Sequence, residues 1–260
     1  MINRVIPTAV HDRAELADLL RRDPALHAYE LGDLDDFFWP WTGWYRLGDS
    51  IALVYHGAGG PPTVLAFEQP EAVGALRELL AGLTGLLPRR FYAHVTEGAE
   101  DLLVTGFGAE SRGLHLKMAL TDRARLLRQD SRGELLTRAD LPELLALYEA
   151  AYPGNWFDPR MLDTGQYVGV RDKGELVAVA GVHVWSPTQR IAALGNITTH
   201  PRVRGRGIGK AVVAELCRRL LDTVDEVALN VRADNESAVA LYTSLGFATV
   251  GRYYELSVGD

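Results

Sequence analysis

The residues best placed to do chemistry lie in one stretch of the second half, Thr198-Thr199-His200-Pro201-Arg202-Val203-Arg204-Gly205-Arg206-Gly207-Ile208-Gly209-Lys210. A β-rich run at 192–199 leads into it, and a helical stripe of Val212, Val213, Leu216, Cys217, Leu220 and Leu221 leads out. A strand, a glycine-rich turn and a helix start together make an anion site, because unpaired backbone N–H groups and the positive helix end converge there. Glycine lets a diphosphate approach the backbone without a Cβ in the way. Arg204, Gly205, Arg206, Gly207, Ile208, Gly209 and Lys210 would supply those amides. The spacing argues against two common nucleotide loops. A Gly-x-x-x-x-Gly-Lys-Ser/Thr loop needs four residues between its glycine and the Gly-Lys pair, whereas three separate Gly205 from Gly209 and Ala211 follows Lys210. The dinucleotide fingerprint Gly-x-Gly-x-x-Gly is missed by one position, since Gly205, Gly207 and Gly209 simply alternate.

A second constellation follows at 227–247, where a strand pattern runs into Asn235, Ala238, Leu241, Tyr242, Gly246 and Phe247. Asn235 and Tyr242 are seven residues apart, two helical turns, so they share a helix face with small Ala238 between them. Asp234 or Asn235 can cap that helix. A phenol ionises near pH 10, so Tyr242 holds its proton at neutrality and can donate it. Tyr242 reads equally as a core aromatic.

Arg204-x-x-Gly207-x-Gly209 after a strand and Pro201, followed by Asn235-x-x-Ala238-x-x-Leu241-Tyr242 and Gly246-Phe247, closely resembles the two signatures of the GNAT superfamily of acyl-CoA N-acyltransferases. The resemblance covers residues 134 to 260. It implies acetyl-CoA, or another acyl-CoA, as cofactor and a small-molecule or peptide amine as acceptor, the amine attacking the thioester directly. The loop amides from Arg204 to Lys210 then hold the diphosphate. Ile197, Thr198 and Thr199 hydrogen-bond the pantetheine arm and polarise the thioester carbonyl. Asn235 contacts the same arm, and Tyr242 protonates the departing sulfur. Many relatives carry a glutamate on the strand before the loop; here 191–200 has no acid. His183 on the neighbouring strand, or Glu149 through a water chain, is then the candidate base. Trp156 and Phe157 fall where relatives build the acceptor pocket. The missing acid also supports an alternative, a non-catalytic acyl-CoA-binding sensor or assembly module. A homodimer is a habit of the family, and no metal site is expected.

The elements that must position these residues occur twice. Each half opens on a helical pattern, continues through strands (50–55 and 63–68; 167–170, 176–184 and 191–198) and an amphipathic helix (71–83; 210–221), and closes on strand, short helix, Gly-Phe and strand. Gly106-Phe107 and Gly246-Phe247 are 140 positions apart. An internal repeat accounts for this. The expected architecture is α/β: two tandem GNAT-like domains, each a mixed, mostly antiparallel central sheet flanked by helices. They span 1–120 and 134–260, with the arginine-rich stretch 121–133 as linker. The first half has Gln69-Pro70 in place of the glycine loop and Leu102 in place of Tyr242, so one cofactor site per chain is expected. Phrases such as Ala193-Leu194-Gly195-Asn196-Ile197 resemble a branch related to glycine N-acyltransferases, whose members carry a degenerate N-terminal copy of the domain. Phe37-Phe38-Trp39-Pro40-Trp41-Thr42-Gly43-Trp44-Tyr45 can wall an acceptor pocket or serve as core.

Composition narrows the function further. The 260 residues are 47% hydrophobic and 23% charged with net charge −7, which opposes broad nucleic-acid binding. The single cysteine, Cys217, excludes an intramolecular disulfide and reads as a buried small hydrophobe. No stretch has the length of a signal peptide core or a membrane span, which points to a cytoplasmic protein without a membrane partner.

Overall fold

A computed structural model describes residues 6–57, 60–155 and 157–259. The elements of the first half are β1 (Thr8–Val10), α1 (Arg13–Leu20), α2 (Ala28–Gly32), β2 (Thr42–Leu47), β3 (Ser50–Tyr55), β4 (Thr63–Ala66), α3 (Val73–Leu83), β5 (Phe91–Thr96), α4 (Glu100–Phe107) and β6 (Glu110–Leu120). Those of the second are α5 (Arg123–Leu127), β7 (Glu134–Leu135), α6 (Leu141–Ala151), β8 (Val168–Asp172), β9 (Glu175–Ser186), β10 (Ile191–Thr199), α7 (Ile208–Leu220), β11 (Glu226–Arg232), α8 (Glu236–Leu245) and β12 (Phe247–Val258). Local chemistry sets the boundaries. The Asp12 carboxylate accepts from the N–H groups of Ala14 and Glu15 and starts α1. Gly108, in the left-handed region at φ +65°, ends α4.

The chain forms two compact units. The first comprises residues 1–117, 231–235 and 249–260. Its strands run β1-β2-β3-β4-β5-β12, antiparallel throughout except for the parallel pair β4/β5. Tyr253–Val258 of β12 pair with β5 from Thr96 back to Phe91. Leu76, Leu79, Leu80 and Leu83, the apolar stripe of α3, are buried against Val54, Val64, Val95, Leu256 and Val258. The second unit comprises residues 118–230 and 236–248. Its strands run β11-β10-β9-β8-β7, again antiparallel except for one parallel pair, β10/β11. α6 and α7 pack on β9. Each unit is therefore a mixed, mostly antiparallel sheet flanked by helices. Among the described residues no helix is long and apolar enough to cross a membrane.

The units do not follow the sequence halves. The strand at 249–260 belongs to the first unit, and residues 118–133 belong to the second. The stretch read as a linker holds α5, whose Leu126 is fully buried. The N–H groups of Thr121 and Asp122 both donate to the carbonyl of Gly246, at 3.1 and 3.0 Å. This explains the Gly of the Gly-Phe pair: Gly246 sits at φ +103°, and a methyl group there would collide with the Asp122 carbonyl. Gly246→Ala is expected to cost roughly 2 kcal/mol, read as a lower midpoint in urea unfolding.

β2 begins within the aromatic run and lies between β1 and β3 in the sheet. Trp44 is buried there, its Nε1 donating to Thr42 Oγ1 at 2.8 Å, and Trp39 stacks on it at 6.3 Å. Phe37 and Trp41 remain 61% and 53% exposed. The run is thus part core and part surface.

Candidate active site

The parallel ladder between β10 and β11 joins Ile191–Leu194 to Glu226–Leu229 and goes no further, so from Gly195 and Asn230 onward the two strands part. The first unit contrasts with this. There β4 stays paired with β5 along its whole length, and Thr96 Oγ1 closes the end by donating to Glu68 O (3.2 Å) and accepting from Glu68 N (2.9 Å). Only the second parallel pair leaves a slot.

A bulge shapes the wall of that slot. Gly195 pairs with Gly181 and Thr198 with Val179, so Asn196 and Ile197 face a single β9 residue. A bulge leaves an extra residue outside the ladder, with its backbone free for another partner. Asn196 adopts φ +54°, a conformation asparagine tolerates better than most residues. Tyr148 Oη donates to Asn196 O at 2.9 Å, Asn196 Nδ2 donates to Tyr167 Oη at 3.0 Å, and Tyr167 Oη donates to Val182 O at 3.1 Å. Gly181 has no side chain because the Tyr167 ring occupies that space. Tyr148 and Tyr167 thus lock the bulge, a role their positions in apolar stripes did not reveal. The one signal was an asparagine inside an otherwise apolar strand.

The glycine loop lies at the end of β10. Gly205 and Gly207 are left-handed, at φ +75° and +76°. Gly207 starts α7, with no side-chain cap, so the amides of its first turn have no partner within the helix. Gly209 lets α7 approach β10: a Cβ there would lie 2.7 Å from Thr199 Oγ1. Arg204 Nε donates to Thr199 O at 3.0 Å, which ties the loop to the strand end. Arg202 pairs with Glu175, and Arg206 with Asp172 at 3.5 Å.

Of the other expected site residues, Tyr242 is on α8, 8% exposed, its ring edge-on to Phe247 at 5.9 Å. Burial, with Cys217 and Tyr152 nearby, holds its phenol well above the usual value, so it stays protonated. His183 sits on β9 beside a register shift, and its ring fills the space where a Gly195 side chain would be. Burial pushes its imidazole down to about 4, so it is neutral at pH 7. Phe157 packs on Tyr148 at 5.1 Å and Tyr167 at 5.7 Å. Trp156 lies outside the described residues. Asn235 is exposed immediately before α8 and belongs to the first unit, whereas the other residues expected to bind the cofactor belong to the second. Buried Asn155 Nδ2 and Asn230 Oδ1 have no hydrogen-bond partner. Cys217 is fully buried in α7, and among the described residues no cluster of His, Cys, Asp and Glu is arranged to hold a metal.

A parted parallel pair, a bulged strand and an uncapped helix behind left-handed glycines are joined here by a family match: residues 133–247 fit the acetyltransferase (GNAT) family, and the chain belongs to that family. Its members are acetyl-CoA-dependent acetyltransferases. The chain is 37% identical over 138 residues to N-alpha-acetyltransferase RimI of Mycobacterium tuberculosis, a match covering 48% of this chain and 85% of that protein. It is 36% identical over 116 residues to a mycothiol acetyltransferase of Paenarthrobacter aurescens, covering 43% of this chain but only 32% of that protein. The chain is similar in fold to a tandem GNAT protein from the clavulanic acid biosynthesis pathway, at TM-score 0.55 and 18% identity, covering 97% of each chain.

Proposed function

We propose that this protein is an N-acetyltransferase that moves an acetyl group from acetyl-CoA to a primary amine, with one competent site, in the second unit. One observation carries the reading: the uncapped start of α7, behind Gly205 and Gly207, stands at the end of a strand that has parted from its parallel neighbour. The residues fit the cofactor. Free first-turn amides suit a diphosphate, and unpartnered Asn155 and Asn230 suit an amide-bearing arm or an amine.

Acetyl-CoA supplies the activated acyl group when bound. The chain's residues do the rest. Amides from Arg204 to Lys210 bind the diphosphate. Backbone groups of Ile197, Thr198 and Thr199, beside the bulge, hold the arm and the carbonyl oxygen. Tyr242 Oη holds a proton at neutral pH and delivers it toward the departing sulfur. His183, neutral above about pH 4, takes the proton of the amine. Phe157 walls the acceptor side. The first half of the sequence, residues 1–120, is a degenerate copy. Its closed β4/β5 end and its Gln69-Pro70 in place of the loop support that reading. We place the chain near the glycine N-acyltransferase branch on the same ground. The site is compatible with a cytoplasmic enzyme, as a monomer or a homodimer.

Titration calorimetry with acetyl-CoA tests the proposal. Micromolar binding is expected. Gly207→Glu, which sets a carboxylate against the diphosphate, and Gly209→Val, which collides with Thr199, should each weaken it at least ~100-fold. Unchanged affinity in both variants would place the cofactor elsewhere.

A further inference from the structure

The bulged residue of β10 is held from both ends. Asn196 is left-handed at φ +54°, a conformation that glycine adopts without strain and other residues do not. Where only such a turn is needed glycine suffices, as at Gly205 and Gly207 in the loop. Here the chain keeps a polar side chain instead and buries it to 3% exposure.

That side chain has specific partners. Asn196 Nδ2 donates to Tyr167 Oη at 3.0 Å and to Met161 Sδ at 3.3 Å, and Tyr167 Oη lies 3.4 Å from the same sulfur. A thioether sulfur only accepts, so Met161 fixes which end of the amide turns this way. Tyr167 Oη then accepts from the amide and passes its own hydrogen on to Val182 O of β9 at 3.1 Å. At the backbone of the same residue, Tyr148 Oη donates to the Asn196 carbonyl at 2.9 Å. Burial holds both phenols above their usual value, so both remain donors at neutral pH. The sulfur is itself anchored. It sits in the turn Pro159–Thr164, where Leu162 is buried and Thr164 Oγ1 donates to Met161 O at 2.7 Å. One residue is thereby tied to α6, to this turn, to the residue before β8 and to β9.

A bulge re-aims a strand, and these ties keep the new direction from drifting. A site that must meet a developing oxyanion depends on this, because a misplacement of about 1 Å costs roughly 100-fold in rate. We propose that Asn196 is a positioning residue for acetyl transfer, held by Tyr167, Met161 and Tyr148 so that the backbone of Ile197, Thr198 and Thr199 meets the thioester carbonyl oxygen. The inference rests on the N-acetyltransferase reading above and adds to it the side chain that sets the aim. Asn196 acts through the strand, and Met161 acts through Asn196 as an acceptor.

The test reads the carbonyl itself. Acetyl-CoA, isotope-labelled at the acetyl carbonyl, is bound to the full chain, and its thioester stretch is recorded by difference infrared spectroscopy. In the wild type the band should lie at lower frequency than in free acetyl-CoA, the sign of a polarised carbonyl. Asn196→Gly keeps the left-handed turn and removes only the amide, so the melting temperature and the Kd for acetyl-CoA should stay put. The band should return toward its free position. Thiol release, with alaninamide or butylamine as the amine, should fall about tenfold, less than the roughly 100-fold of losing an oxyanion donor outright. Tyr167→Phe should act in the same direction, and Met161→Leu more weakly. The double replacement of Asn196 and Tyr167 should cost less than the product of the two single effects, because both break one hydrogen bond. A wild-type band and rate in Asn196→Gly overturn the inference and leave acetyl transfer standing. So does a joint loss of rate, affinity and melting temperature with the band unmoved, the mark of a structural role alone. A wild-type band that keeps its free position with acetyl-CoA bound removes the polarising backbone from the proposed function, and the inference with it.

Discussion

Tyr242→Phe is expected to lower kcat roughly 100-fold, the typical share of a positioned general acid, with no change in acetyl-CoA affinity. The substitution removes only the hydroxyl. The ring keeps its place against Phe247, and α8 loses no packing. A drop of this size corresponds to about 2.7 kcal/mol of lost transition-state stabilisation. The measurement is a steady-state thiol-release assay beside calorimetry of the same samples. Because burial holds the phenol above its usual value, wild-type kcat should show no loss from Tyr242 ionisation up to pH 9. The outcome also separates the enzyme from a non-catalytic acyl-CoA sensor. A sensor binds the cofactor and releases no thiol in either form.

The second large effect lies in the first unit, where Lys117 and Glu30 are 3% and 2% exposed. Lys117 Nζ lies 3.6 Å from the Phe67 ring centroid and has no hydrogen-bond partner. Glu30 Oε1 meets His27 Nδ1 at 3.2 Å, while Oε2 has no partner. Burial alone would raise Glu30, but Lys117 and the His27 hydrogen bond bring it below its usual value. Burial lowers Lys117 from 10.5 to about 8, with Glu30 opposing the shift. Each charge thus depends on the other. Lys117→Met or Glu30→Leu alone should destabilise the first unit by about 3 to 5 kcal/mol, whereas the double replacement should be neutral or better. Thermal unfolding of the three variants makes the comparison. The sign with pH follows from proton counts. Between pH 8 and 10.5 the unfolded chain binds more protons at Lys117 than the folded one, so wild-type stability should rise with pH across that window. That rise should vanish in Lys117→Met. A double-replacement cost equal to the sum of the two single costs would show that the two charges do not compensate each other.

Much of this was legible in the sequence because the signals are local. β3 runs over 50–55 as its apolar run implied, and α3 and α7 start within two residues of their expected positions. Left-handed turns need glycine, so Gly205 and Gly207 mark the loop by residue type alone. What escaped depends on contacts distant in sequence. Tyr148 and Tyr167 look like core aromatics until they meet Asn196, 48 and 29 positions away. Asn230 reads as an ordinary strand residue until the parallel ladder is seen to stop one position earlier. Residues 249–260 lie next to the Gly-Phe pair in sequence, yet β12 adds to β5 of the other unit's roster. A strand pattern specifies which faces are buried and leaves the partner edge undetermined.

That last pairing has a consequence during synthesis. Since Tyr253–Val258 pair with β5, that strand must wait during synthesis for a partner made after β7 to β11 of the second unit. For more than 130 residues of elongation β5 presents an open edge, an invitation to stray pairing that nascent chains normally shed early. A premature stop just after Ala248 would leave the loop, α7 and α8 encoded and would strip the other unit of a strand. Such a truncation would be lost to aggregation or proteolysis even though none of the residues proposed for chemistry is missing.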